Sequence, residues 1–195
     1  MNARLRKLTG TAMLSAIAYI LMFLEFPIPF LIPSFIKMDF SELPALLAAF
    51  AYGPLWGVTV CLIKNLIHLM NTQTGGVGEL SNFMLGACFV LTAGIVYRRM
   101  HTKRGALTGS VIGAAVMGVV SLFTNYFIVY PIYSNFMPME AIIGAYQLIV
   151  PSVDDLWDCL IIFNLPFTIF KGLCSVLISV FVYKPLRNIL KGNSV

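Results

Sequence analysis

The sequence predicts an all-α integral membrane protein. It reads as six transmembrane helices with both termini cytoplasmic, in a single membrane domain spanning residues 1–195. Composition is the first observation behind this. Hydrophobic residues make up 59% of the chain, charged residues 11%, and mean hydropathy is +0.88. A soluble domain carries about twice that charge, and a small soluble fold keeps too much surface to hide so much apolar matter from water. Charge sorting is the second. Ten of the thirteen basic residues (Arg4, Arg6, Lys7, Arg98, Arg99, Lys103, Arg104, Lys184, Arg187, Lys191) fall on one side of the apolar segments. All eight acidic residues (Glu25, Asp39, Glu42, Glu79, Glu140, Asp154, Asp155, Asp158) fall on the other. The positive-inside rule produces this pattern in a multispanning protein and orients it.

Helix one is expected over about residues 8–25, near the ~20 residues that cross a bilayer. Its basic start and apolar run imitate a signal peptide, but no small-residue cleavage site follows, so it reads as a retained helix. Residues 26–33 hold three prolines, which forbid a regular helix, and the segment reads as a lid or plug packed on protein. Asp39 and Ser41 are candidate N-caps for helix two, with Pro44 in its first turn. Gly53-Pro54 breaks the chain into helix three, which runs to about Asn71. Residues 72–78 form an outer loop, and helix four follows to Arg99. The basic turn 98–104 leads into helix five, about residues 106–130. A long outer segment, 131–163, carries four acidic residues and reads as partly interfacial. Asn164-Leu165-Pro166 reads as an N-cap and early proline opening helix six.

Composition and motifs exclude several functions. The basic residues flank apolar segments and suit anionic headgroups of the bilayer, so nucleic acid is not an expected partner. Cys61, Cys88, Cys159 and Cys174 are scattered without a CxxC pair and read as core residues. No metal-ligand spacing and no nucleophile–base pairing stands out, so neither a metal site nor enzymatic activity is expected. The loop 75–79 resembles a phosphate cradle only loosely. It lacks the Gly-Lys-Ser/Thr ending of a P-loop and no strand precedes it, so the chain hydrolyses no ATP of its own in that way. No internal repeat of the kind found in inverted-repeat secondary transporters is evident.

Three lysines, Lys37, Lys64 and Lys171, break the charge sorting. An ammonium within a span costs about 3 kcal/mol or more and usually faces the bundle interior. Asn164, Thr168 and Lys171, spaced i, i+4, i+7, share one helix face, with Lys171 about 10 Å below the expected helix start. Asn125 lies about 8 Å below Tyr130 on helix five, and Lys64 and His68 share a face of helix three. Polar groups from three helices thus converge at one depth, the pattern of an apolar pocket with a few placed donors and acceptors. Aromatic residues gather on the same outer side, mostly as an interfacial belt, with some available to stack on a flat ligand.

Residues 26–33, then Lys37-Met38-Asp39-Phe40-Ser41-Glu42-Leu43-Pro44, then Thr74-Gly75-Gly76-Val77-Gly78-Glu79-Leu80-Ser81-Asn82-Phe83, resemble the riboflavin-specific S components of energy-coupling-factor (ECF) vitamin transporters. Asn125-Tyr126-Phe127 with Pro131-Ile132-Tyr133, and Asn164-Leu165-Pro166-Phe167 with Lys171-Gly172, extend the resemblance in order over nearly the whole chain. It implies a plasma-membrane protein of a prokaryote that binds riboflavin as transported ligand and has no cofactor of its own. It implies hydrogen bonds from Asn125, Asn164 and Lys171 to the polar edge of the isoalloxazine ring. At position 168 the family pattern has an amide where this chain has Thr168, whose hydroxyl still donates and accepts. Lys64, Gly75, Gly76, Glu79 and Asn82 complete the candidate substrate-binding set, with the proline-rich and glycine loops covering the ligand. The absence of a phosphate cradle fits riboflavin and leaves FMN open as a second ligand. The resemblance also implies a transmembrane T component, met by Ala12 and Ala16 on helix one, and two ATPase subunits that use the ATP. Small residues four apart do allow close helix approach. The alternative reading is an S component or secondary transporter for another small vitamin or related metabolite.

Overall fold

The computed structural model describes residues 2–191, with side chains described to residue 182 apart from Val180. The side chains of Lys184, Arg187 and Lys191, read above as part of the basic end, lie outside that range. Helix α1 covers Ala3–Phe23, starting earlier than expected because Asn2 caps it: its Oδ1 accepts from the Arg4 N–H at 3.2 Å. The proline-rich segment is a ribbon rather than a bare loop. Strand β1 (Phe26–Pro27) pairs antiparallel with β2 (Lys37–Met38), and Ile32 between them is fully buried.

Helix α2, Glu42–Tyr52, is only 11 residues, about 16 Å long. Every residue from Glu42 to Phe50 is buried, because α2 runs through the middle of the bundle rather than facing lipid. Ser41 is its N-cap residue by position but its side chain makes no capping bond, and Asp39 instead accepts from the Ser41 N–H at 2.8 Å. The break to α3 (Pro54–His68) falls at Gly53, whose φ of 118° is open to glycine at no steric cost. A 3₁₀ turn, Leu69–Asn71, ends α3.

Helices α4 (Val77–Met100) and α5 (Lys103–Thr124) form a close antiparallel pair. A methyl group at Gly109 or Gly113 would stand 2.8 Å from the carbonyl oxygens of Ala93 and Phe89, so these small residues set the approach. The chain then passes through a π-turn, Asn125–Val129, into α6 (Tyr130–Tyr133). Helix α7 is Met139–Gln147. Helix α8 (Leu156–Cys159), a second π-turn (Leu160–Asn164) and α9 (Leu165–Lys191) run on without interruption.

This corrects the expected helix start at Asn164. The N-cap is Asp155, whose side chain accepts from the Asp158 N–H at 2.8 Å. Pro166 does not open a helix. A proline inside a helix lacks one N–H and clashes with the carbonyl four residues back, and the wider π-turn before it makes room. The same holds for Pro131 after the first π-turn. Both π-turns therefore have a local cause in sequence.

Among the described residues, three helical stretches are long and apolar enough to cross a membrane: Val77–Met100, Lys103–Tyr133 and Leu156–Ser179. One buried cluster, including Leu46, Phe89 and Met117, fills the bundle, and a second, including Ile32, Tyr146 and Phe163, lies under the ribbon. Lys7, Arg98 and His101 line one groove beside the α2–α3 turn. Glu25, Asp39, Glu42 and Glu79 gather around a cavity near the other end of α1. The sorting of charge along the chain thus becomes a separation in space.

Candidate functional site

That cavity holds about 270 Å³ and is bounded by the end of α1, the ribbon, the start of α4, and the two π-turn regions. Asn125 is the first residue of one π-turn and Asn164 the last of the other. Both amides line the cavity and both are about 5% exposed. Thr168, Lys171, Glu79 and Asn82 line it too. The expected convergence on one cavity is therefore present for these six residues.

Three expected site residues are placed elsewhere. Lys64 is fully buried behind the cavity wall, donating to the Ser41 hydroxyl and, at 2.9 Å, to Glu42 Oε1. The i, i+4 spacing did bring Lys64 and His68 to one face, but α2 lies between Lys64 and the cavity. Gly75 and Gly76 do not line the space. They shape the loop, with φ of 62° and 88°, and Thr72 Oγ1 ties it by accepting from the Gly76 N–H at 2.9 Å. Ala12 and Ala16 lie on the exposed face of α1 and do not line the cavity.

Lys171 does not stand alone as a free ammonium. Its Nζ donates to Asp39 Oδ2 at 2.7 Å and lies 3.6 Å from Glu42 Oε2. Asp39 Oδ1 accepts from the Ser41 N–H and hydroxyl, and Oδ2 also accepts from Asn82 at 3.4 Å. Asp39, Glu42, Lys64 and Lys171 therefore form a neutral cluster of two acids and two lysines. Pairing is what makes such burial tolerable. Burial alone would raise the Asp39 carboxyl, but the Lys171 and Lys64 ammoniums outweigh it and hold that group well below the usual carboxylate range.

Asn164 belongs to a second network. Its Oδ1 accepts from the Tyr146 hydroxyl at 2.6 Å, its amide donates to the Tyr130 hydroxyl at 3.1 Å, and the two hydroxyls bond to each other. Asn125 Oδ1 accepts from Ser81 at 3.4 Å. Glu79 is bound up in the loop, with His68 Nδ1 at 2.8 Å and the Thr72 hydroxyl at 2.9 Å. Lys37 joins three elements: it bonds Glu25 at 2.7 Å and Gln73 at 2.8 Å, tying the ribbon to the end of α1 and to the glycine loop. Phe35, Tyr130, Tyr133 and Phe167 supply aromatic wall. Tyr126 and Trp157 instead stack on each other, 4.4 Å between centroids, away from the cavity.

Sequence reasoning missed Glu42, Tyr146 and the pairing role of Asp39. A signal for the first and last did exist. Two lysines inside apolar helices require counter-charges, and Asp39 and Glu42 stand at the nearest helix start. Tyr146 carried none, since it lies on a separate short helix.

The family described as "ECF transporter, substrate-specific component" matches residues 6–183. A riboflavin transporter RibU of Staphylococcus aureus (strain TCH60) is 36% identical over 186 residues, covering 95% of this chain and 93% of that one. The riboflavin transporter FmnP of Bacillus subtilis (strain 168) is 30% identical over 187 residues, covering 94% and 93%. A solved structure described as the S component of a bacterial ECF transporter superposes with a TM-score of 0.76 at 36% identity, over 96% of this chain and 99% of that one. With a family match along nearly the whole helical bundle, and a solved S component of the same shape, this chain belongs to the substrate-specific components of ECF transporters.

Proposed function

We propose that this chain binds riboflavin in the cavity between the two π-turns and delivers it for ATP-driven uptake as the substrate-specific subunit of an ECF complex. The observation that carries this is that two buried amides, Asn125 and Asn164, and the Lys171 ammonium line one aromatic-walled space. Riboflavin is flat, uncharged and polar along one edge, and such a cavity suits it. FMN shares the ring and enters as a second candidate ligand. The names of the similar transporters support the substrate. The subunit works by binding, without a cofactor of its own, in the plasma membrane of a bacterium. Six helices, α1 to α5 with α9, build the membrane bundle, α2 too short to cross the bilayer alone and enclosed by the others, with both termini in the cytoplasm, as the charge sorting directs. A transmembrane T component docks on the Ala12–Ala16 face of α1, and two ATPase subunits supply the energy.

The test is absorption and fluorescence of the purified subunit. Protein from flavin-replete cells should be yellow, and riboflavin added to flavin-free protein should show saturable quenching, one per chain, without ATP or partners. Thiamine and biotin serve as comparison ligands and FMN as the close analogue. Saturable binding of another vitamin with none of riboflavin would overturn the substrate.

A further inference from the structure

At the cavity end of the bundle the chain neutralises its own lysines. Lys37 pairs with Glu25, Lys64 with Glu42 and Lys171 with Asp39. The opposite end has no such supply. Lys7 from α1, with Arg98 and His101 from the end of α4, lines a groove of about 380 Å³ beside the α2–α3 turn, and Tyr52 and Tyr97 form its aromatic wall. Arg6 adds to the same field, since its charge acts on the Tyr52 hydroxyl. No carboxylate lines the groove, and among the described residues neither Lys7 nor Arg98 has an ion pair. The counter-charge must come from outside the chain. The rim shows what kind of molecule brings it. Next to these cations along the chain stand Leu8, Leu55 and Met100, all exposed, Leu55 by 73%. A soluble anion gains nothing from such a rim.

We propose that this groove holds the headgroup of an anionic phospholipid, its phosphate between Lys7 and Arg98 and its acyl chains against Leu55 and the neighbouring apolar side chains. A phospholipid carries both parts the site asks for, an anion and a hydrocarbon tail, joined at the depth where a membrane helix ends. Tyrosines are at home at that depth, with the ring on the apolar side and the hydroxyl toward the headgroups. Because the groove is built from α1, the α2–α3 turn and the end of α4, one bound lipid would touch all three. The groove is distinct from the riboflavin cavity and shares no lining residue with it.

The chain's two tryptophans supply the reporters. Trp56 stands beside the groove, its Cδ1 4.0 Å from where a methyl group on Gly53 would be, and Trp157 lies in α8 beside Asp158. Trp157→Phe and Trp56→Phe each leave one reporter. Each protein is placed in symmetric vesicles of phosphatidylcholine doped with phosphatidylglycerol, and one lipid at a time carries acyl-chain bromines, which quench on contact. At equal mole fraction, quenching of Trp56 should show phosphatidylglycerol enriched about fivefold or more over phosphatidylcholine, and Trp157 should show no preference. Adding Lys7→Gln with Arg98→Gln should erase the preference at Trp56. Lys103→Gln with Arg104→Gln removes the same charge at the same end but outside the groove, and should keep it. Helicity and thermal unfolding check each variant. Where the groove double variant does not fold, Lys7→Gln alone should reduce the preference. Equal loss in both double variants would mean diffuse attraction and would overturn the site. Abolition by inorganic phosphate at constant ionic strength would assign the groove to a soluble anion instead. No preference in the parent protein, with weaker co-purification of the T component by the groove variant, would make it a protein-docking surface and likewise overturn the lipid.

Discussion

Lys171→Met tests the charge cluster and the binding site at once. It removes one of two cations that balance two carboxylates, at nearly constant volume. Asp39 Oδ2 would keep only the Asn82 amide at 3.4 Å, and the cluster would carry a net negative charge in a buried place. Removing one partner of a buried ion pair costs about 3–5 kcal/mol. The Lys171 side chain is 13% exposed, which argues for the lower end. Binding should fall separately by about 1–3 kcal/mol for the lost hydrogen bond, or about 5- to 140-fold at 1.4 kcal/mol per tenfold. Thermal unfolding in detergent reads the first effect and flavin titration the second. The double variant Asp39→Asn with Lys171→Met restores neutrality, so it should recover most of the stability and none of the affinity. The pH dependence has a definite sign. The lowered Asp39 carboxyl contributes stability that is fully present above its unfolded pKa of about 3.9, and the contribution fades as pH falls from there toward the lower folded value. The destabilisation by Asp39→Asn should therefore stay constant from neutral pH down to about 5 and shrink below about 4. A Lys171→Met protein with wild-type stability and wild-type affinity would refute the whole account.

Lys37→Ala should release riboflavin faster by up to about fivefold, since a partly exposed ion pair is worth about 1 kcal/mol at most; stopped-flow fluorescence measures it. Tyr146→Phe frees the Asn164 oxygen and leaves Tyr130 one partner short, so affinity should drop by about 5- to 10-fold in the same titration. Replacing Ala12 and Ala16 together by Trp should block uptake in cells while the purified variant keeps its riboflavin affinity, because both residues lie on the exposed face of α1. Loss of binding in that variant would place the face in the wrong role. A cysteine introduced by Thr102→Cys should react with a membrane-impermeant reagent only after cells are opened; labelling in intact cells would reverse the orientation.

The bundle was largely legible because charge and hydropathy vary along this chain in step with its helices. Gly53-Pro54 marked its break, and the turn 98–104 marked another. The miss at Asn164 has a specific cause. Proline near an Asn looks like a helix start, and the same proline inside a helix asks for a wider turn before it, so the local sequence does not choose between the two. In the site, Asn125, Asn164, Thr168 and Lys171 were readable from helical spacing, which fixes a shared face. Spacing does not say what lies across from that face, so Lys64 was assigned to the cavity although α2 covers it. Glu42 and Tyr146 owe their positions to contacts between elements far apart in sequence.

The two π-turns have a consequence for how such a protein changes over time. Each is one residue of slack in an otherwise regular helix. Deleting that residue would let the turn close into ordinary α geometry with little rotation or shift of the helix on either side, because the wider turn already takes up the extra residue. Asn125 and Asn164 sit at the edges of these turns, so such a deletion would reshape the backbone that carries each amide while the helix beyond keeps its register. The exposed surfaces of the other helices would stay as they are. A single-codon loss in either turn would thus alter the wall of the cavity while the packing of the rest of the bundle stays the same.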